Sequence, residues 1–355
     1  MCKKITVFLT IIFLGLSGFA QDQEAENKRK EEAQLANKLF NESIALAEEN
    51  KDLEAISMLT KAIRLRPDFA QAYYNRSCLK MNINSYDEAL EDINRAISIN
   101  ADASAYAVKG LIYMEKGSFR DAYDNISLAI RTDHEMPEAY YYRAVVMMEQ
   151  EFYTDALEDL DRALTLKPDY ALAYNERGSI RFMMEQYDAA ESDFNKALTF
   201  DPTLAVAYNN LGKVMQEKRN VISAAEYYTA ALKIDPTLTE AFLNRGTLHY
   251  NNEEYGDAMV DFNKALEIDP QNEVIYNNLG NTRYMMGDLK GAIAEYSKAI
   301  QIKPDYAEAY FNRGVVKEMK RDSNGAFRDW ERASELEDTE AMSIINNHIP
   351  ENLKR

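Results

Sequence analysis

The residues of this chain best suited to holding zinc, or to moving a proton near neutral pH, are its three histidines, His134, His249 and His348. They are far apart and lack companions at ligand spacing, so neither a metal site nor a histidine base is expected. No glycine-rich phosphate loop follows a strand, and no strand pattern is present. The 59 carboxylates are plentiful, but abundance alone makes no acid–base pair. The chain is read as non-enzymatic, with no cofactor and no metal.

Two other residue types recur at fixed spacing. Arg76, Arg143, Arg177, Arg245 and Arg313 are each followed sixteen residues later by an aspartate: Asp92, Asp159, Asp193, Asp261 and Asp329. Where the first position is not arginine, the second is not aspartate, as in Leu211 with Tyr227 or Lys109 with Asn125. Leu279 with Glu295 is the intermediate case. This co-occurrence predicts five internal ion pairs that fix helix geometry, and it argues against an anion-binding track. Pairing between neighbouring units fails the same comparison, since Asp193 would face Leu211. The other recurrent type is asparagine, at Asn210, Asn244, Asn278 and Asn312.

Both patterns lie on a longer one that must position them. Nine alanines, Ala55, Ala89, Ala122, Ala156, Ala190, Ala224, Ala258, Ala292 and Ala326, stand 34 residues apart, except for the 33 between Ala89 and Ala122. A second alanine follows each by seven, from Ala62 to Ala333. A small residue precedes each by twelve: Ser43, Ser77, Gly110, Ala144, Gly178, Gly212, Gly246, Gly280 and Gly314. Each unit reads as two amphipathic helices, most of them stopped by a proline such as Pro168 or Pro270. The small residues let helix axes approach, and Phe194, Tyr228, Phe262, Tyr296 and Trp330 fill the space beside them. One pair cannot bury its own apolar faces, so the units must stack.

This pattern resembles the tetratricopeptide repeat, over roughly residues 36–338. The resemblance implies an all-α solenoid, a right-handed superhelix of about nine helix-turn-helix units, whose first helices line an inner face. Departures are Ser43 at the glycine position and Ala101, His134 and Asp338 at the proline position. The resemblance also implies a protein–protein interaction scaffold that holds an extended peptide or partner surface in its groove. Asn210, Asn244, Asn278 and Asn312 would form an inner-face ladder, with Asn209, Asn277, Tyr250, Tyr284 and Met285 around it. A side-chain amide both donates and accepts, so it can satisfy a peptide group without reading its side chain. Rungs ~10 Å apart would meet about every third residue of a strand rising ~3.3 Å per residue. The lysine clamp that some relatives use for acidic tails is absent; its places hold residues such as Phe40, Tyr74, Asn209 and Phe311. The alternative reading is an accessory subunit that presents substrate to an envelope glycan- or protein-modifying enzyme.

The ends differ from the array. Residues 1–20 open with Lys3-Lys4, continue apolar from Ile5 to about Leu16, and reach small residues at Ser17-Gly18-Phe19-Ala20, the pattern of a cleaved export signal. Export to the periplasm or outer envelope, or secretion, is therefore expected, without membrane insertion afterwards. Residues 21–35 form a polar leader, either flexible or a frayed extension of the first helix. Thr339 is expected to cap a last helix covering the ninth unit, within 339–355. The net charge of −18 becomes −20 without Lys3 and Lys4 (39 − 59), which disfavours nucleic acid. The paired methionines Met147-Met148, Met183-Met184 and Met285-Met286 are expected in core or groove. Cys78 is expected to pack, and the missing residue near 100–104 to make the softest joint.

Overall fold

The structure, a computed structural model, describes residues 26–348. The expected signal segment 1–20 lies outside the described residues, as does the chain beyond 348. All described secondary structure is helical, and the chain divides into two compact regions between Asp169 and Tyr170. The first region holds α1 (26–48), α2 (Asp52–Leu65), α3 (Ala70–Asn82), α4 (Tyr86–Ile99), α5 (Ala103–Glu115), α6 (Phe119–Thr132), α7 (Pro137–Met148) and α8 (Tyr153–Leu166). The second holds α9 (Ala171–Met183), α10 (Tyr187–Phe200), α11 (Ala205–Glu217), α12 (Val221–Ile234), α13 (Thr239–Asn251), α14 (Tyr255–Ile268), α15 (Glu273–Met285), α16 (Leu289–Ile302), α17 (Ala307–Met319), α18 (Ser323–Glu335) and α19 (Thr339–His348). Odd-numbered helices up to α17 open a unit and even-numbered ones close it, giving the nine helix-turn-helix pairs of an α-solenoid.

The recurrent alanines hold the pairs together. Both alanines of every second helix are buried, nearly all completely. Four residues after the first alanine, a large side chain enters the notch at the small residue of the partner helix. A Cβ built on Gly212 would stand 2.5 Å from the Tyr228 ring, and one on Gly246 would stand 2.7 Å from Phe262. Helix axes this close, with rings such as Tyr228 and Tyr296 at most 1% exposed, bury ~1.5–3 kcal/mol of apolar surface per ring.

Inside each unit the turn is closed by one left-handed residue, which lets the last carbonyls of the first helix find donors. In the second unit, Asn84 (φ 60°) donates to Met81 O at 2.9 Å and Ser85 to Lys80 O at 2.8 Å. Only Gly117 and Gly287 take this conformation without a Cβ cost; Glu151, Glu185, Arg219, Glu253 and Arg321 accept it.

The chain is helical from residue 26, so residues 26–35 extend the first helix, one of the two readings of the polar leader. The linker between α4 and α5 is one residue shorter, yet α4 still packs on α5: Asp102 caps α5 by accepting from Ala105 N at 2.9 Å, and Ala105 and Val108 bury against Ala89 and Ile93. Finally, Asp338 and not Thr339 caps α19, accepting from Ala341 N at 2.8 Å. Ala341, Ile344 and Ile345 then cover the Trp330 cluster.

Candidate functional site

All five arginines grip their aspartates with two nitrogens. Nε and Nη2 of Arg76, Arg143, Arg177, Arg245 and Arg313 bond both carboxylate oxygens of Asp92, Asp159, Asp193, Asp261 and Asp329, at 2.6 to 2.9 Å. The aspartates are 1–7% exposed, so each forked pair satisfies a carboxylate that would otherwise be stranded.

The arginines also reach beyond their own units. The remaining nitrogen, Nη1, reaches back to a hydroxyl on the preceding unit: Arg76 to Thr60 (2.9 Å), Arg143 to Ser127 (3.2 Å), Arg245 to Thr229 (2.9 Å) and Arg313 to Ser297 (3.0 Å). Each of these four arginines joins three helices. A signal was present in the chain: that position holds Thr60, Ser127, Asp161, Thr229 or Ser297 before a unit with arginine, and Asn94, Asn195 or Asn263 before one without. Glu295, the intermediate case, is held by Arg283 Nε at 3.0 Å, four residues after Leu279.

The four asparagines are not equivalent rungs. Nδ2 of Asn210 donates to Asn175 Oδ1 (3.1 Å), Asn244 to Asn209 (3.0 Å) and Asn312 to Asn277 (3.1 Å), each on the preceding first helix. Asn209 and Asn277 are 6% and 1% exposed, so they do not border an open ladder; their oxygens are taken by the next unit's amide. Asn278 differs because its partner position is Leu243. Among the described residues its side chain has no hydrogen-bond partner.

Asn278 instead lines a pocket of roughly 190 Å³ with Thr247, Tyr250, Asn251, Asn281 and Phe262. Tyr296 donates to Asn281 Oδ1 at 2.7 Å, which leaves the Asn281 Nδ2 donors without a protein acceptor among the described residues. The Tyr250 hydroxyl is pushed up by burial and by the neighbouring Tyr255 and Tyr284, so it stays a neutral donor. Of the expected surrounding residues, Tyr250 and Tyr284 are partly buried and Met285 is 46% exposed. The pocket is uncharged and offers amide, hydroxyl and ring surface together. Elsewhere on the first helices of this region, burial raises the Glu176 carboxyl and lowers the Lys213 ammonium, which lies 4.8 Å over the Phe182 ring.

Of the methionines, Met147 is core, and Met183, Met184, Met285 and Met286 are 42–58% exposed at helix ends. One further expectation needs correction. His249 does have companions, because the turn after α13 brings Glu254 and Asp257 to it. Spacing alone hid them, since the three residues lie on either side of the reversal at Glu253. Cys78 packs beside Tyr74, and burial pushes its thiol up to about 11.

Models of the tetratricopeptide repeat match residues 70–102, 137–170, 171–204, 205–238, 239–272 and 262–294, and a TPR repeat model matches 280–320. Over 98 residues (27% of the chain) the sequence is 31% identical to the UDP-N-acetylglucosamine–peptide N-acetylglucosaminyltransferase of Giardia intestinalis, spanning 7% of that protein. Over 83 residues (23% of the chain) it is 30% identical to the TPR repeat-containing thioredoxin TDX of Arabidopsis thaliana, spanning 22% of it. The chain thus spans only a small part of these relatives. Among solved structures, it resembles the APC/C hetero-tetramer Cut9-Hcn1 (TM-score 0.63, 15% identity, 78% of this chain and 55% of that one). It also resembles a tetratricopeptide repeat protein from Parabacteroides merdae (TM-score 0.57, 20% identity, 70% and 99%). These likenesses agree with the paired helices, the alanine register and the glycine–aromatic notches: the chain belongs to the tetratricopeptide repeat family.

Proposed function

We propose that this protein is an interaction scaffold of the cell envelope whose second region binds an extended peptide segment on the face of its first helices, centred on Asn278. The observation that supports this reading is the unpartnered Asn278 amide in a neutral pocket bordered by Thr247, Tyr250, Asn251 and Asn281. An amide without a partner offers both donor and acceptor, so a peptide group can replace water there without a net loss of hydrogen bonds. Asn210, Asn244 and Asn312 are already committed to neighbouring units and serve the stack. The envelope location rests on residues 1–20, with their basic start, apolar run and small residues before position 21. Cell fractionation tests it, and a cytoplasmic pool with an intact N-terminus counts against it.

A peptide-display selection on the whole chain tests the binding site. Selected peptides are expected to bind Asn278→Ala about three- to tenfold more weakly. The Asn210→Ala/Asn244→Ala/Asn312→Ala variant is expected to lose stability and keep affinity. Failure to enrich any peptide, or equal affinity for Asn278→Ala, overturns the reading.

A further inference from the structure

We propose that the turn of the seventh unit binds a transition-metal dication of the zinc class through His249, Glu254 and Asp257. The last turn of α13 carries His249, the left-handed Glu253 reverses the chain, and Glu254 and Asp257 open α14. One donor atom from each residue lies within 4.8 Å of the other two. His249 Nδ1 stands 2.6 Å from Glu254 Oε2.

Comparison with the other units shows what is unusual. The place of His249 holds Lys80, Arg181, Arg283 and Lys317 in four of them. Each of these permanent cations bonds a carboxylate of the following helix: Lys80 to Asp92 (2.9 Å), Arg181 to Asp193 (2.6 Å), Arg283 to Glu295 (3.0 Å) and Lys317 to Asp329 (2.6 Å). The closest parallel is the eighth unit, where Arg283 also bonds Asp288 at 3.1 Å, five residues on, as His249 meets Glu254. Among the described residues, no lysine or arginine forms a salt bridge with Glu254 or Asp257. The carboxylate those four cations share stands at Asp261 in the seventh unit, where Arg245 already holds it. Against the places of Glu254 and Asp257, Arg283 meets Asp288 and Lys80 meets Glu88 (3.3 Å), and a dication on the imidazole of the seventh unit supplies the positive charge that those side chains supply.

Nε2 lies 3.9 Å from Asp261 Oδ2, too far for a hydrogen bond, and Arg245 holds that buried carboxylate with two bonds. Its negative charge behind the ring favours the proton on Nε2 and leaves Nδ1 to coordinate. One nitrogen and two carboxylate oxygens suit zinc at ~2.0–2.2 Å and leave a fourth position open. Magnesium and calcium, which take oxygen ligands, gain nothing from the imidazole. The Glu254 side chain is 52% exposed and long enough to close on an ion.

The test is calorimetric titration of the whole chain with zinc chloride at about pH 7.5, with Cys2→Ser and Cys78→Ser in every protein so that no thiol contributes. One ion per chain is expected. His249→Gln and Glu254→Gln/Asp257→Asn are each expected to weaken it at least ~tenfold. His249→Lys, which restores the cation of the other units, is expected to abolish binding while the helical circular-dichroism melt stays unchanged. Excess magnesium is expected not to compete. Absence of zinc binding overturns the proposal, as does binding that persists in His249→Lys, which would mark ions scattered over an acidic surface.

Discussion

The two regions build the same hairpin with different fillings. Up to Asp169, the side chain entering the notch is aliphatic (Leu59, Ile93, Ile126 and Leu160), and three of the four notches keep a Cβ, at Ser43, Ser77 and Ala144. From Tyr170 onward, the side chain is always a ring (Phe194, Tyr228, Phe262, Tyr296 and Trp330), and the notch is always glycine. The residues three before the notch follow the same division. They are Phe40, Tyr74, Ala107 and Tyr141 in the first region, but Asn175, Asn209 and Asn277 appear in the second. A ring on glycine draws the two helices of a unit together by shape, and asparagine pairs tie successive first helices by hydrogen bonds. The second region therefore rests on rings seated on glycine and on amide pairing, while the first rests on aliphatic contact, closest at Gly110, where a Cβ would stand 2.4 Å from Ile126.

The sharpest way to probe that contrast is to remove a buried carboxylate from each side. Asp193 receives Arg177 and also Arg181, and its side chain is 1% exposed; Asp159 receives Arg143 and is 10% exposed. Asp193→Ala is expected to cost about 3–5 kcal/mol in urea unfolding, and Asp159→Ala to fall at the lower end. Equal losses would remove the energetic distinction between a carboxylate held by two cations and one held by a single arginine.

A smaller effect is expected at the notches. Gly→Ala inside a helix ordinarily stabilises by ~1 kcal/mol. Gly212→Ala should reverse that sign, because a Cβ 2.5 Å from the Tyr228 ring forces a shift costing ~1–3 kcal/mol. Ala144→Gly, at a first-region notch that already holds a Cβ, should lose only the ~1 kcal/mol of helix propensity. A stabilised Gly212→Ala protein would show that the ring moves freely and that the close fit is unimportant.

The smallest expected effect concerns Glu176, which stands where later units have asparagine. Burial raises its folded carboxyl above the ordinary value, so the charged form opposes folding. Glu176→Gln is expected to stabilise at pH 7. The gain should shrink as pH falls through the raised folded value and vanish below the ordinary range near ~4.3, where both states are protonated. A gain that is independent of pH would assign it to packing.

The array itself was readable because alanine, alanine and glycine recur at one period, and the ion pairs were readable because arginine and aspartate come and go together. The backward hydroxyl contacts left an equally clear record at Thr60, Ser127, Thr229 and Ser297, each five residues after the first alanine of its unit. The asparagine pairs were less accessible. They join positions 35 residues apart in successive units, so Asn278 looks identical to its neighbours until Leu243 is seen in place of an acceptor. The His249 group was hidden for a different reason: a left-handed residue between His249 and Glu254 defeats any fixed helical spacing.

The guanidinium that leans on the unit before it makes the stacking order matter. Splicing the sixth unit directly to the eighth would bring Thr229 against Leu279, a hydroxyl facing a hydrocarbon. Joining the fifth to the seventh would set Asn195 against Arg245. Hairpins with nearly the same outline are therefore keyed to their predecessors, and a reshuffled chain would keep every fold within a hairpin while losing the stitches between them.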